Sequence, residues 1–169
     1  MPSPADVVAP LAFLIGTWQG TGVGAVPGGG GPDFPYAEEL AFAREEGSPW
    51  LAYRTRITAP DDGRLLYAET GWWRPQPADG DDEIAIEAVI VRPSGVSEVL
   101  LGRLTTGPAG EQIELASDVV ARTPTAPAVT ADHRMYAERG GKLMYAVDLA
   151  ADDLPLAPHL AAALDRVEA

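Results

Sequence analysis

Apolar and polar residues alternate along most of the chain, beginning at Gly16. The clearest example is the segment in which Ile84, Ile86, Ala88 and Ile90 occupy every second position. A period of two is typical of a β-strand with one buried face and one face in water. We predict about nine strands, the first starting at Gly16 and the others at 36–44, 50–58, 65–74, 83–91, 96–104, 112–120, 129–137 and 142–150.

Short turn segments rich in Gly, Pro, Asp and Ser separate the predicted strands. Examples are Gly47-Ser48-Pro49, Asp61-Asp62-Gly63 and Gly140-Gly141. Short connections favour antiparallel pairing between consecutive strands, which predicts an up-and-down sheet. A sheet of this size hides its edges by closing into a barrel or by splitting into two packed layers. We therefore expect an all-β, antiparallel up-and-down β-barrel, with a β-sandwich as the alternative.

The N-terminal segment has a different period. Val7, Val8, Leu11 and Leu14 are separated by three or four residues or are adjacent, which predicts a short helical turn. No repeat or linker divides the 169 residues, a length that suits one domain. We expect an N-terminal tail at 1–10 and a single barrel domain at 11–169.

The C-terminal segment also matches a helical period. Pro158 is favourable in the first turn of a helix, where a missing backbone N–H costs nothing. The residues at i, i+3, i+4, i+7, i+8 and i+11 are Leu156, His159, Leu160, Ala163, Leu164 and Val167. This spacing predicts a short C-terminal helix whose apolar face packs against the barrel. His159 would lie on that face.

Composition excludes several classes of function. The formal net charge of −13 argues against binding to nucleic acid or to an anionic membrane, because both depend on Lys and Arg. The sequence has no apolar run of 18 residues, and its N-terminus has no basic region followed by an apolar one, so neither a membrane span nor a signal peptide is predicted. The absence of cysteine excludes disulfides and thiolate sites and fits a cytoplasmic protein.

His159 is the strongest candidate for chemistry. A histidine on an apolar face is most often a core residue with satisfied hydrogen bonds, and that interpretation stays open. No cysteine and no second His, Asp or Glu on the same face completes a zinc site. A single neutral imidazole is sufficient for haem, since the porphyrin supplies the four equatorial ligands. His133, between charged neighbours in a predicted strand, is expected to face solvent.

The first strand carries an unusual combination of a large aromatic residue and glycines. Trp18 offers a large surface for burial, while Gly20 and Gly22 allow backbone or ligand to approach closely. The spacing of the two glycines alone favours a β-bulge without a ligand role.

Four motifs together resemble the nitrobindin family over residues 11–166, nearly the whole chain. They are Gly16-x-Trp18-x-Gly20-x-Gly22, Glu69-Thr70-Gly71-Trp72-Trp73-Arg74-Pro75, Arg92-Pro93-Ser94-Gly95 and Leu154-Pro155-Leu156-Ala157-Pro158-His159-Leu160. The resemblance implies a ten-stranded antiparallel barrel related in architecture to fatty-acid-binding proteins. It also implies ferric haem b near the barrel mouth, with the iron bound by one C-terminal histidine that corresponds to His159.

The activity that the resemblance implies is the isomerisation of peroxynitrite to nitrate and the binding of nitric oxide at an open iron position. His159 would be the metal-ligating and catalytic residue, and the cofactor-binding residues would include His159, Trp18, Gly20, Gly22 and Tyr67. The chain departs from the family at two places. Val26-Pro27-Gly28 replaces a Tyr-Pro-Thr-like segment, and Tyr67 stands where some members have a histidine.

Two other hypotheses are a non-haem carrier of a fatty acid or another small apolar ligand, and an interaction domain whose cavity is filled by its own side chains. Several arginines are chemically able to bind the haem propionates. They are Arg54, Arg56, Arg74, Arg92 and Arg103. Spare aromatic surface is compatible with a homodimer.

Overall fold

The protein is described here by a computed structural model covering residues 3–27, 30–76 and 83–167. A short α-helix, α1 (Pro4–Val8), and a 3-10 helix (Ala9–Leu14) precede ten strands. The strands are β1 (Gly16–Gly24), β2 (Phe34–Arg44), β3 (Leu51–Thr58), β4 (Leu65–Pro75), β5 (Glu83–Val91), β6 (Val96–Gly107), β7 (Gly110–Arg122), β8 (Val129–Arg139), β9 (Lys142–Ala151) and β10 (Ala157–Arg166).

The ten strands form one closed antiparallel barrel. Each strand pairs with the strand before it and the strand after it, and β1 closes the sheet by pairing with both β2 and β10. Because the sheet is closed, every strand in the described residues has a hydrogen-bonded neighbour on both sides and the barrel has no edge strand. The predicted up-and-down barrel is therefore confirmed, and the sandwich alternative is wrong.

Alternate residues of each strand face the inside of the barrel, as the period of two predicts. Trp72 and Trp73 show the pattern most simply, because Trp72 is 48% exposed on the outer surface and Trp73 is fully buried. Most buried apolar residues of the strands form one large core cluster, and Val96, Val129 and Leu149 form a second, smaller one.

The N-terminal helices pack at the end of the barrel where β1 begins. Ser3 caps α1, since its side chain accepts a hydrogen bond from the backbone N–H of Asp6 while Asp6 accepts one from the backbone N–H of Ser3. Val8, Leu11 and Leu14 are buried in the core cluster. The predicted helical turn is thus confirmed. No helix within the described ranges is long and apolar enough to cross a membrane.

The predicted C-terminal helix is wrong, because residues 157–166 form strand β10. Leu160 and Leu164 are four residues apart, a spacing that puts them on one face of a helix and also on one face of a strand. Both are buried inside the barrel in β10. The pairing of β10 with β1 and β9 completes the barrel, and this closure outweighs the helix propensity of the alanines at 161–163.

The two ends of the barrel differ. At one end, which we call the closed end, the helices cover the beginning of β1. At the other end, which we call the mouth, β1 ends at Gly24 and β10 begins at Ala157. Gly24 pairs with Leu160 near the mouth, whereas Trp18 pairs with Arg166 near the closed end. His159 therefore lies at the mouth.

Candidate functional site

A β-bulge in β10 directs His159 into the mouth. Pro158 pairs with Asp148 and Leu160 pairs with Val147, so His159 is the extra residue between two consecutive pairs. A bulge re-aims a side chain and is common beside functional sites. Leu160 is buried inside the barrel, and the imidazole of the preceding residue, His159, is half-buried beside it.

Ala25 holds His159 through two hydrogen bonds. The backbone N–H of Ala25 donates to the carbonyl oxygen of His159 (2.8 Å), and the Nδ1 atom of His159 lies 2.9 Å from the carbonyl oxygen of Ala25. A carbonyl oxygen only accepts, so Nδ1 carries the proton in this bond. In the neutral ring Nε2 then has a free lone pair, which is the form that binds a metal.

The surroundings of His159 favour its neutral form. Burial lowers the pKa of His159, because a charged imidazolium loses hydration there, and the hydrogen bond to Ala25 only partly opposes this effect. The side chain is therefore uncharged at neutral pH. A carbonyl partner on Nδ1 also fixes the ring orientation and increases the basicity of Nε2.

A cavity of about 640 Å³ opens beside His159. This volume lies within the range of roughly 300–1,000 Å³ that is usual for pockets of small molecules and cofactors. Most of its wall is apolar, and the wall includes Val23, Gly24, Val26, Val147, Leu160 and Ala161. A neutral imidazole that faces a mostly apolar cavity of this size fits the axial ligand of a flat haem group, so the donor chemistry is suitable.

Tyr67, one of the predicted cofactor-binding residues, lies close to His159. Their ring centroids are 6.1 Å apart in an edge-to-face arrangement. The Tyr67 hydroxyl donates to Oε2 of Glu69 (2.6 Å), and the guanidinium of Arg92 lies 5.6 Å from the Tyr67 ring centroid. Because its proton is committed to Glu69, the hydroxyl can accept a hydrogen bond from a ligand but cannot donate one.

The structure does not bring Trp18 near His159. Trp18 is buried at the closed end, where its indole N–H donates to the carbonyl oxygen of Leu14 (2.8 Å) and the guanidinium of Arg166 lies 4.1 Å from its ring. This placement gives Trp18 a role in joining the N-terminal helices to the barrel.

Two motif glycines in β1 allow close approach by different strands: Gly22 accommodates the aromatic ring of Tyr36 in β2, and Gly20 lies against β10. A Cβ atom on Gly22 would lie 2.3 Å from Cζ of Tyr36, and one on Gly20 would lie 3.1 Å from the carbonyl oxygen of Ala163. Close approach at Gly22 is thus an approach by Tyr36 of the same chain. Gly28, in the segment that replaces the family's Tyr-Pro-Thr-like sequence, lies outside the described residues.

The middle of the barrel contains a buried polar network that the sequence analysis did not predict. Among the described residues, the charged ones buried inside are Glu38, Glu69, Arg92, Glu98, Asp132 and Arg134. The network thus contains four carboxyl groups and two guanidinium groups. The remaining partners are Thr55 and tyrosine hydroxyls.

Glu69 is the centre of the network. Burial alone would raise its pKa, but the charges of Arg134 and Arg92 and their hydrogen bonds, together with one from Tyr67, lower the pKa of Glu69 to about 2. Arg134 bonds both oxygens of Glu69, and Tyr53 donates to Oε1 (2.7 Å). Glu69 is therefore ionised at every physiological pH.

Glu38 has a different environment. It accepts hydrogen bonds from Thr55 (2.6 Å) and Tyr145 (2.5 Å), and no arginine or lysine in the described part of the chain pairs with it. Burial raises the pKa of Glu38 to about 7, and the negative charge of Glu69 contributes to the increase.

We expect this carboxyl group to make stability depend on pH. Native Glu38 keeps its proton up to about pH 7, whereas the unfolded chain loses it near 4.5, so the native state binds more protons between these values. Stability should fall as pH rises through this window, by about 3 kcal/mol for this group. Urea unfolding of wild type and Glu38→Gln at pH 4.5 and 8 measures the effect. The glutamine variant should gain stability relative to wild type at the higher pH, and an unchanged difference would contradict the assignment.

Of the five arginines considered for haem propionates, Arg92 is the one that lies inside the barrel. Its guanidinium contacts Glu69 (3.3 Å), Asp132 (2.7 Å) and Glu98. The others are on the outer surface; ion pairs are formed there by Arg54, Arg74 and Arg103.

His133 lies on the outer face of β8, as predicted, with its Nε2 atom 2.9 Å from Oε1 of Glu114. Within the described ranges, no cluster of three or more His, Asp or Glu side chains is arranged to hold a metal ion. A pocket of about 400 Å³ on the outer surface adjoins His133 beside the charged Arg103 and Glu114. The mostly apolar cavity, in contrast, lies beside His159.

Comparison with known proteins agrees with the motifs. Residues 7–166 match the family model for the THAP4-like, heme-binding beta-barrel domain. A ferric nitrobindin-like protein of Kineococcus radiotolerans is 38% identical over 95% of this chain and 93% of its own length. A peroxynitrite isomerase of Frankia casuarinae is 40% identical over 94% of this chain and 84% of its own length.

A solved structure supports the same relationship. The crystal structure of Rv2717c from M. tuberculosis superimposes with a TM-score of 0.85, at 34% sequence identity, over 96% of this chain and 98% of that one. The resemblance to nitrobindins inferred from the four motifs is confirmed. The chain belongs to the family of THAP4-like haem-binding β-barrel domains.

Proposed function

We propose that this protein binds ferric haem b at the mouth of the barrel, with Nε2 of His159 as the axial ligand. The loaded protein would isomerise peroxynitrite to nitrate and bind nitric oxide at the open iron position. The family is haem-binding, and several relatives are named peroxynitrite isomerases. These names support the proposal for the present chain.

The observation that carries the proposal is the state of His159. Its Nδ1–H is committed to the carbonyl oxygen of Ala25, its ring is neutral, and it adjoins a cavity of about 640 Å³. A core histidine with satisfied hydrogen bonds would have both nitrogen atoms engaged or no cavity beside it. Here, one nitrogen is oriented by the backbone and the other has no hydrogen bond within the described residues.

Ferric haem, when bound, supplies a Lewis-acidic coordination position for the peroxynitrite anion. The chain's own contribution is to fix the imidazole and to place a mostly apolar wall beside it. Val147 and Leu160 separate the cavity from the polar network, while Val26 lies on the side of the β1–β2 connection. An apolar wall keeps reactive fragments together and so favours nitrate over nitration of free tyrosine in solution.

The carrier hypothesis is not favoured by the interior of the barrel. The central cavity measures only about 10 Å³ and is lined by charged groups, among them Glu38, Glu69 and Arg134. An apolar chain placed there would separate these groups from their partners, at a cost of several kcal/mol for each buried charge.

The test of the proposed reaction uses the full chain loaded with one equivalent of hemin. Loaded protein should accelerate peroxynitrite decay by at least about tenfold over the cofactor-free chain, since coordination stabilises developing charge by more than the 1.4 kcal/mol that this factor requires. Nitrate should increase and nitration of added free tyrosine should decrease. The same hemin concentration without protein is the control. Equal rates and products for loaded protein, free hemin and cofactor-free chain would refute the proposal.

A further inference from the structure

All five tyrosines of the chain lie inside the barrel. The hydroxyls of Tyr53 and Tyr67 both donate to Glu69, at 2.7 and 2.6 Å. The hydroxyl of Tyr145 donates to Glu38 at 2.5 Å, and that of Tyr36 lies 2.8 Å from the Tyr145 hydroxyl. Since Tyr145 already donates to Glu38, Tyr36 is the donor to Tyr145. A tyrosine with a carboxylate at this distance has a proton acceptor in place.

The two carboxylates differ as proton acceptors. Arg134 and Arg92 neutralise Glu69 and lower its pKa to about 2, which makes it a weak base. Glu38 has no cationic partner within the described residues, and burial raises its pKa to about 7. A base is most effective when its pKa lies near the working pH. Tyr145 is therefore the tyrosine best placed to lose a proton when it loses an electron.

Tyr145 is also close to the His159 cavity. Val147 and Leu160 line that cavity on one side and the small central cavity on the other, and the central cavity is lined by Glu38 and Tyr145. The Tyr145 ring stacks on Tyr136 with a centroid distance of 5.6 Å. Tyr136 in turn lies 5.0 Å from Trp73. Oxidisable rings in contact thus extend from beneath the mouth to β4.

We propose that Tyr145 is a one-electron donor to oxidants formed in the His159 cavity, with Glu38 as the acceptor of its phenolic proton. The oxidant is nitrogen dioxide, the radical fragment of peroxynitrite, so this inference rests on the proposed function. Nitrogen dioxide gains one electron and becomes nitrite. Tyr145 loses one electron and its hydroxyl proton and becomes a neutral phenoxyl radical, and the Glu38 carboxylate becomes a carboxylic acid. Atoms and charge balance in this step.

The electron donor can be tested without cofactor. Azide radicals produced by pulse radiolysis oxidise exposed tryptophans, and Trp72 is 48% exposed next to buried Trp73. In the full-length wild type we expect the tryptophanyl absorption to decay as a tyrosyl absorption grows. Tyr145→Phe should lose most of that growth. Tyr53→Phe is the matched control, because Tyr53 is also buried and bonded to a carboxylate, but to the weak base Glu69.

Glu38→Gln keeps the tyrosine and removes the base. We expect the tyrosyl signal to grow at least about tenfold more slowly in this variant at pH 8, since a positioned general base contributes roughly 10²–10⁴-fold. This variant also provides the test if Tyr145→Phe does not fold. Equal growth in wild type and Glu38→Gln, or equal losses in Tyr145→Phe and Tyr53→Phe, would overturn the proposal.

A second measurement uses the hemin-loaded protein and peroxynitrite. Lys or Arg lies between every two successive tyrosines, so trypsin places the five tyrosines on five peptides. Nitrotyrosine should be found first on the peptide of Tyr145, because its radical combines with nitrogen dioxide. If the loaded protein isomerises peroxynitrite but no radical forms at Tyr145, the role of Tyr145 as electron donor is refuted and the proposed function is not. If a radical forms at Tyr145 but the loaded protein does not isomerise peroxynitrite, the proposed function is refuted and electron donation by Tyr145 is not.

Discussion

Alanine in place of His159 is expected to weaken ferric haem binding by at least about hundredfold. Loss of a group that only supports a metal ligand typically costs 10–100-fold in affinity, and loss of the ligand itself should reach at least the upper limit. The neutral ring with its lone pair on Nε2 is the imidazole donor at the 640 Å³ cavity. Hemin titration followed by the Soret band gives both affinity and coordination state.

The chain provides its own control for this measurement. It has two histidines, and His133 lies on the outer face of β8 beside Glu114. His133→Ala should bind hemin like wild type. In His159→Gly, added imidazole should restore the wild-type spectrum, because a free ligand can occupy the space of the lost ring. Equal hemin affinity in wild type and His159→Ala would show that the iron is bound elsewhere.

The sequence predicted the barrel because the period of two is long and regular, but it did not predict how the barrel closes. Leu160 and Leu164 satisfy a helix and a strand equally well, and the alanines between them favour a helix. Only the partners β1 and β9, which are distant in sequence, decide between the two. Long-range pairing of this kind leaves no signal in a local window.

The sequence predicts that His159 faces the barrel, but from a helix that the structure does not contain. The helical interpretation put it on an apolar face, whereas in the structure the bulge between Pro158 and Leu160 turns it into the mouth. The sequence gives no sign of the Ala25 carbonyl oxygen, which determines the tautomer. Every residue has a backbone carbonyl group, so the sequence does not indicate which one accepts this hydrogen bond. Only the folded structure identifies it.

The alternation of inward and outward residues along each strand could have predicted the buried charges from the sequence. Arg134 and Asp132 are two and four residues before Tyr136, so an inward Tyr136 puts all three on one face of β8. In the same way, Glu69 shares a face of β4 with Trp73. The assumption that charged residues in strands face water concealed this pattern. It is a good rule for isolated charges and fails where arginines and carboxylates pair inside a barrel.

Leucine in place of Arg134 is expected to lower the free energy of unfolding by about 3–5 kcal/mol at pH 7, because it removes one partner of a buried ion network. Arg134 bonds both oxygens of Glu69 and both oxygens of Asp132. Without it, these carboxylates stay buried with less compensating charge. Urea unfolding measures the change. Arg54→Leu is the control, because Arg54 is exposed and 3.6 Å from Glu39, and its loss should cost less than about 1 kcal/mol.

The cost of Arg134→Leu should also decrease as the pH is lowered from 7 to 4. In wild type the pKa of Glu69 lies near 2, below its value of about 4.5 in the unfolded chain, so its ionised form contributes stability that is lost as pH falls through that interval. In the variant, burial of Glu69 acts without Arg134 and raises its pKa, so protonation relieves the uncompensated charge. Through Glu69, acidification therefore removes stability from wild type and adds it to the variant. The opposite contribution of Glu38 is present in both proteins and cancels in the difference between them. A cost that is the same at both pH values would show that Arg134 acts through packing rather than through its charge.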